Sequence, residues 1–121
     1  MIGIDIIKTS RMNRLIERFG DKALQKFLNN DEISLIKNYK TASGFWAAKE
    51  ACSKALGVGI GAECNFHDIV IHKTSKGAPK LKLSNKLLNS FNITDTSLSI
   101  THDGDYAIAV VAIESSTTNK I

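Results

Sequence analysis

Ile2, Ile4 and Ile6 alternate with Gly3, Asp5 and Ile7 at the start of the chain. A period of two predicts a strand with one wholly apolar face and Asp5 turned to the other. From Ser10 the spacing becomes helical: Met12, Leu15, Ile16 and Phe19 make one stripe, and Gly20 breaks it into a second short helix reaching about Leu28. Asn30 or Asp31 is expected to cap a third short helix through Lys37, and Thr41 or Ser43 a longer one that ends at Gly57. Within the longer helix a turn of about 100° per residue puts Phe45, Ala48, Cys52 and Leu56 on one face, with Glu50 and Lys54 on the other.

The second half reads as strands. After the flexible connection GVGIG at 57–61, HDIVIHKT at 67–74 and PKLKL at 79–83 flank a Lys76-Gly77-Ala78 turn. Ser84 caps a short helix through Phe91, and TSLSITH at 96–102 joins DYAIAVVAIE at 105–114 through Asp103-Gly104, a hairpin signal. The expected class is α+β, with an antiparallel sheet packed against one long and several short helices. With no repeat or low-complexity segment and only 121 residues, one domain is expected over 1–114, followed by a frayed tail at 115–121.

Composition narrows the class without choosing a function. Apolar residues at 43% and charged ones at 23% are those of a folded, soluble chain. No apolar run is long enough to span a membrane, and MIGIDIIKTSR lacks the parts of a signal peptide, so the cytoplasm is the expected setting. Cys52 and Cys64, without CxxC spacing or a nearby His pair, read as two reduced thiols rather than a zinc site. A net charge of +4 and a pI near 9.1 imply an anionic partner: nucleic acid, an anionic cofactor or an acidic protein.

Asp5 is the residue that asks for a reason, because a carboxylate inside an apolar strand is costly unless solvated, paired or metal-bound. With Glu50 it would form a hard-oxygen pair suited to Mg²⁺, and Lys54 would suit phosphates. The plain alternative is an i, i+4 surface ion pair between Glu50 and Lys54, worth a few tenths of a kcal/mol. His102 ends a strand, where side chains often emerge into a site, whereas His67 and His72 read as ordinary strand residues. GVGIG lacks a following GK[ST] and is explained by a helix stop and a bend. Arg11, Arg14, Arg18, Lys22 and Lys26 make the first helices basic, which on its own describes a solvated face.

Taken together and in order, GIDI at 3–6 with Arg11 beyond it, WAAKEACSKALGVGIG at 46–61, the Gly77-Ala78-Pro79 turn and SITHDGDYAIAVVAIE at 99–114 resemble the holo-[acyl-carrier-protein] synthase family, the small trimeric class of 4′-phosphopantetheinyl transferases. The resemblance covers nearly the whole chain and implies transfer of 4′-phosphopantetheine from coenzyme A to a serine of an acyl carrier protein. It further implies that Asp5 and Glu50 hold Mg²⁺ and that Lys54 approaches the coenzyme A phosphates. Arg11, Gly61 and His102 would belong to the coenzyme A site. The basic helix of Arg11, Arg14, Arg18, Lys22 and Lys26 would receive the acidic helix of the carrier protein, and the sites would lie between subunits of a homotrimer. One departure stands out: Phe45-Trp46 occupies the place where many members have Arg followed by Phe, and the segment from Lys37 to Gly44 is short. One phosphate contact expected of the family therefore lacks its arginine here.

Two other classes are set against this. A non-catalytic module that docks an acidic protein would show no dependence on Mg²⁺. A nucleic-acid binder would need basic residues interleaved with exposed aromatics, and the aromatics here fall mostly at core-like positions.

Overall fold

A computed structural model describes residues 1–116. Strand β1 (Ile2–Lys8) leads into α1 (Thr9–Phe19), α2 (Asp21–Gln25), α3 (Asn30–Ile33) and the long α4 (Tyr39–Ala55). A 3₁₀ turn at Phe66–Asp68 precedes β2 (Ile69–Lys73) and β3 (Pro79–Leu83); α5 (Asn85–Phe91), β4 (Ile93–Asp103) and β5 (Tyr106–Ser115) follow. The expected antiparallel sheet is two sheets, one of three strands in the order β1-β5-β4 and one formed by β2 and β3.

Helix α4 lies across the inner face of the larger sheet. Ala107, Ala109, Val111 and Ile113 of β5 meet the buried Ala47, Ala48, Ala51 and Ala55 of the helix. Small side chains on both surfaces let them come close. Gly3 of β1 takes this furthest: a Cβ there would lie 1.9 Å from the Ala51 carbonyl oxygen and 2.5 Å from the Ala55 nitrogen. The other side of β1 is the wholly apolar face, and it is open, with Ile2, Ile4 and Ile6 74%, 59% and 57% exposed. Asp5 shares the inner side with Gly3 and Ile7, so the carboxylate points at α4 rather than at solvent.

A buried ion pair fastens the opposite side of α4. The Lys49 ammonium donates to Glu32 Oε1 at 3.0 Å, to the Phe27 carbonyl at 2.7 Å and to the Phe66 carbonyl at 3.1 Å. Glu32 also accepts the backbone N–H groups of Asn29 and Ile71. Both side chains are essentially inaccessible. Desolvation pushes the Lys49 pKa down, and the charge and hydrogen bond of Glu32 oppose it.

Several boundaries differ from the sequence reading, each for a local reason. Asn38, not Thr41 or Ser43, caps α4 by accepting the N–H groups of Lys40 and Thr41. Ser43 instead lies inside the helix, its hydroxyl donating to the Tyr39 carbonyl. Asn29 caps α3 in a reciprocal box with Glu32, and the helix stops at Ile33 where Leu35 and Ile36 tighten to i+3 bonds. His67 lies in the 3₁₀ turn rather than in a strand, because the Asn65 side chain caps that turn. In the β4–β5 hairpin, Asp103 pairs with Tyr106, so the two-residue turn is Gly104-Asp105; the first position has φ +57°, which glycine accepts without strain. The apolar stripe of α1 splits: Met12 is buried, whereas Leu15 and Phe19 are 38% and 50% exposed. Ser115 ends β5 and the Ser116 N–H bonds the Asn92 carbonyl, while the rest of the expected tail, 117–121, lies outside the described residues.

The Gly3 contact gives a stability prediction. Gly3→Ala is expected to cost about 3 kcal/mol, because backbone rather than a movable side chain meets the new Cβ. The urea midpoint measures it, and an unchanged midpoint would show that β1 and α4 separate freely.

Candidate active site

Asp5 on β1, Glu50 and Lys54 on α4 and Arg11 in α1 converge on one place. Lys54 does not pair with Glu50 one turn away, as a surface i, i+4 arrangement would have it. Its ammonium crosses to β1, donating to Asp5 Oδ1 at 2.7 Å and to the Ile4 carbonyl at 3.3 Å. Asp5 is 14% exposed and Lys54 51%, so the lysine covers the carboxylate from the solvent side. Such a half-exposed pair adds little to stability, of the order of 1 kcal/mol or less.

Glu50 is half-buried, and its carboxyl is held above the usual carboxylate range. Burial is the largest cause and the neighbouring Asp5 carboxylate the second, with Lys54 and Arg11 pulling the other way. The two carboxylates are thus near enough for the charge of Asp5 to act on Glu50. That donor set fits a divalent, oxygen-loving cation such as Mg²⁺, which takes one or two protein carboxylates and completes its shell with water and substrate oxygens. No group of three or more His, Cys, Asp or Glu side chains suited to a metal occurs among the described residues.

The remaining predicted residues lie elsewhere. His102 is on β4, two strands from β1, and its Nε2–H donates to the Lys40 carbonyl at 2.9 Å. Gly44 permits this approach, since a Cβ there would sit 3.0 Å from Ile100 Cγ2 and 3.3 Å from the His102 ring. His102 borders a cavity of about 220 Å³ shared with Lys37, Thr41, Phe45 and Lys73. Gly61 is exposed and its N–H is already given to the Cys64 carbonyl; the Val58 and Gly59 N–H groups close the end of α4 on the Ser53 carbonyl. Arg11, Arg14 and Arg18 line an open depression on α1. Lys22 and Lys26 rim a second, apolar groove of about 280 Å³ formed with Leu15, Phe19, Phe27 and Trp46.

Sequence reasoning passed over the Lys49–Glu32 pair. A signal was present: Lys49 falls one turn after Phe45 and three residues before Cys52, on the apolar side of the helix. The two thiols are buried, which pushes Cys52 up to about 12 and Cys64 up to about 11 and keeps both protonated.

The family model for the 4′-phosphopantetheinyl transferase superfamily matches residues 1–111. Among curated relatives, the holo-[acyl-carrier-protein] synthase of Sulfurimonas denitrificans is 71% identical over 121 residues, covering 100% of both chains. That of Aliarcobacter butzleri is 58% identical, with 92% of this chain and 94% of the relative covered. The crystal structure of Helicobacter pylori holo-[acyl-carrier-protein] synthase in complex with coenzyme A superposes with a TM-score of 0.91 at 48% identity, covering 94% of this chain and 100% of that one. The chain belongs to the holo-[acyl-carrier-protein] synthase family of that superfamily. No helix among the described residues is long and apolar enough to cross a membrane.

The carboxylate pair predicts a titration. In the metal-free protein the Glu50 carboxyl should titrate above the ordinary glutamate value of about 4.3. Asp5→Asn should lower that value, since a repelling charge is removed, without restoring it fully, since burial remains the larger cause. Side-chain carboxyl NMR against pH reads both, and an Asp5→Asn variant with an unmoved Glu50 would show that the two groups do not interact.

Proposed function

We propose that this chain transfers the 4′-phosphopantetheine group of coenzyme A to a serine of an apo-acyl carrier protein, giving the holo-carrier and adenosine 3′,5′-bisphosphate. The observation that carries the reading is the cluster of Asp5, Glu50 and Lys54, with Arg11 beside it, at the β1–α4 contact. Supporting it is the likeness to a family member solved with coenzyme A bound.

Phosphoryl-type transfer asks a protein for charge neutralisation and alignment more than for covalent help. Asp5 and Glu50 would hold Mg²⁺, which supplies neutralisation of the pyrophosphate charge when bound. Lys54, at the solvent side of Asp5, sets its ammonium against the same phosphates, and Arg11 adds a second cation. As the carrier serine oxygen bonds to the β-phosphorus, the bond to the adenosine bisphosphate oxygen breaks. Glu50, or a water hydrogen-bonded to it, takes the serine proton. Gly61 and His102 complete the coenzyme A contacts.

Arg11, Arg14, Arg18, Lys22 and Lys26 form the docking face for the acidic helix of the carrier. We further propose a homotrimer. Ile2, Ile4, Ile6 and Val110 leave an exposed apolar face on the larger sheet, which asks for cover. A site placed between copies also accounts for His102 and the carboxylate pair lying apart within one chain. Both substrates are water-soluble, and the cytoplasm is the setting we propose.

Intact mass of an apo-acyl carrier protein incubated with this protein and coenzyme A tests the reaction. A gain of about 340 Da, one phosphopantetheinyl group, is expected with Mg²⁺ and not after chelation. Glu50→Gln should abolish the gain, and undiminished turnover in that variant would sink the role given to the carboxylate pair. For assembly, sedimentation should find a trimer, and Ile4→Arg should release monomers; a wild-type monomer would refute the interface.

A further inference from the structure

Lys49 precedes Glu50 in sequence but takes no part in the carboxylate cluster, its ammonium being bonded elsewhere. Its three acceptors are Glu32 and the backbone carbonyls of Phe27 and Phe66. Those two phenylalanines are also two of the three rings in an aromatic cluster. Phe27 meets Trp46 edge-on with centroids 5.2 Å apart, and Trp46 lies 4.8 Å from Phe66. Phe27 and Phe66 themselves are 6.0 Å apart. The cluster lines the apolar groove of about 280 Å³ between the first two helices and α4, next to the exposed Leu15 and Phe19 and the ammonium groups of Lys22 and Lys26. One buried cation therefore holds the backbone of two of the three aromatic residues in that groove. Glu32 extends the same node to β2 by accepting the Ile71 N–H at 2.8 Å.

We propose that Lys49 is a positioning residue for carrier-protein recognition: through Phe27 and Phe66 it fixes the aromatic floor of the groove that takes an apolar side chain of the carrier's acidic helix. The occupant follows from the groove's make-up, an apolar floor for an apolar side chain and a rim of Lys22 and Lys26 for the acidic residues around it. The inference rests on the transferase reading given above and adds to it a division of labour on α4. Glu50 and Lys54 serve the coenzyme A side, while Lys49, turned toward Glu32 and the backbone of Phe27 and Phe66, serves the carrier.

Trp46 is the chain's one tryptophan, so its emission reports on the groove directly. In the wild type, apo-carrier protein should change that emission on titration. Lys49→Met should raise the midpoint of the titration, and the KM for apo-carrier, by about tenfold or more, with the KM for coenzyme A within about twofold of wild type. Equal increases in both KM values, or an unchanged carrier KM in a folded variant, overturn the proposal. Should Lys49→Met not fold, Glu32→Gln keeps a carbonyl acceptor for Lys49 while removing the charge. It should give the same split in smaller measure, and a folded Glu32→Gln with wild-type carrier KM overturns the proposal equally. Wild-type protein that modifies no carrier would remove the transferase reading and this inference together. Wild-type turnover with unsplit variants would remove the inference alone.

Discussion

At Gly3, strand β1 meets helix α4 backbone to backbone, and the geometry of the Asp5–Glu50–Lys54 cluster follows from that contact. Because Gly3 of β1 and Ala107 and Ala109 of β5 leave the inner surface of the sheet shallow, and the facing side of α4 is made of alanines, strand and helix lie closer than larger side chains would permit. Asp5 is two residues along the strand from Gly3, on the same side. Glu50 and Lys54 flank Ala51, whose carbonyl marks the closest approach. The lysine can then span the gap to the strand, and burial together with the Asp5 charge raises the pKa of Glu50.

The helix is fixed on its other side by a different force. Burying an ammonium and a carboxylate is costly, and the cost is offset here because Lys49 makes three hydrogen bonds and Glu32 accepts from two backbone amides as well as from the lysine. Removing either partner would strand the other without water. The pair therefore specifies how α3, β2 and the 3₁₀ turn sit against α4. Small-residue packing at one side and a satisfied ion pair at the other leave α4 little freedom to slide or rotate.

Outside this framework the surfaces divide by charge and polarity. The first two helices are basic, with Leu15 and Phe19 exposed among the cations, and the outer face of β1 is aliphatic. A basic face with apolar residues set into it suits an acidic, amphipathic partner, and an aliphatic sheet face suits another copy of the chain. The cation-covered carboxylates, the basic helices and the aliphatic sheet face thus occupy separate parts of the chain.

The alternation at 2–7, the existence of a long helix ending near Gly57, the PKLKL strand, the Ser84-capped helix and the final hairpin were legible in the sequence because each depends on periodicity and local hydrogen bonding. Asp5, Glu50 and Lys54 were legible as chemistry, since a carboxylate in an apolar strand demands a partner. Which partner was not, because Lys54 and Asp5 are 49 residues apart and only the strand–helix approach brings them to 2.7 Å. The same limit hid the Lys49–Glu32 pair, which depends on three segments meeting around one ammonium, and the exposure of Ile2, Ile4 and Ile6. A strand pattern says which residues share a face but not which face the core will cover. By itself, then, the sequence determined the elements, the class and the donor types. Tertiary packing decided which donors meet, because desolvation and close approach belong to pairs of surfaces and are written in no single segment.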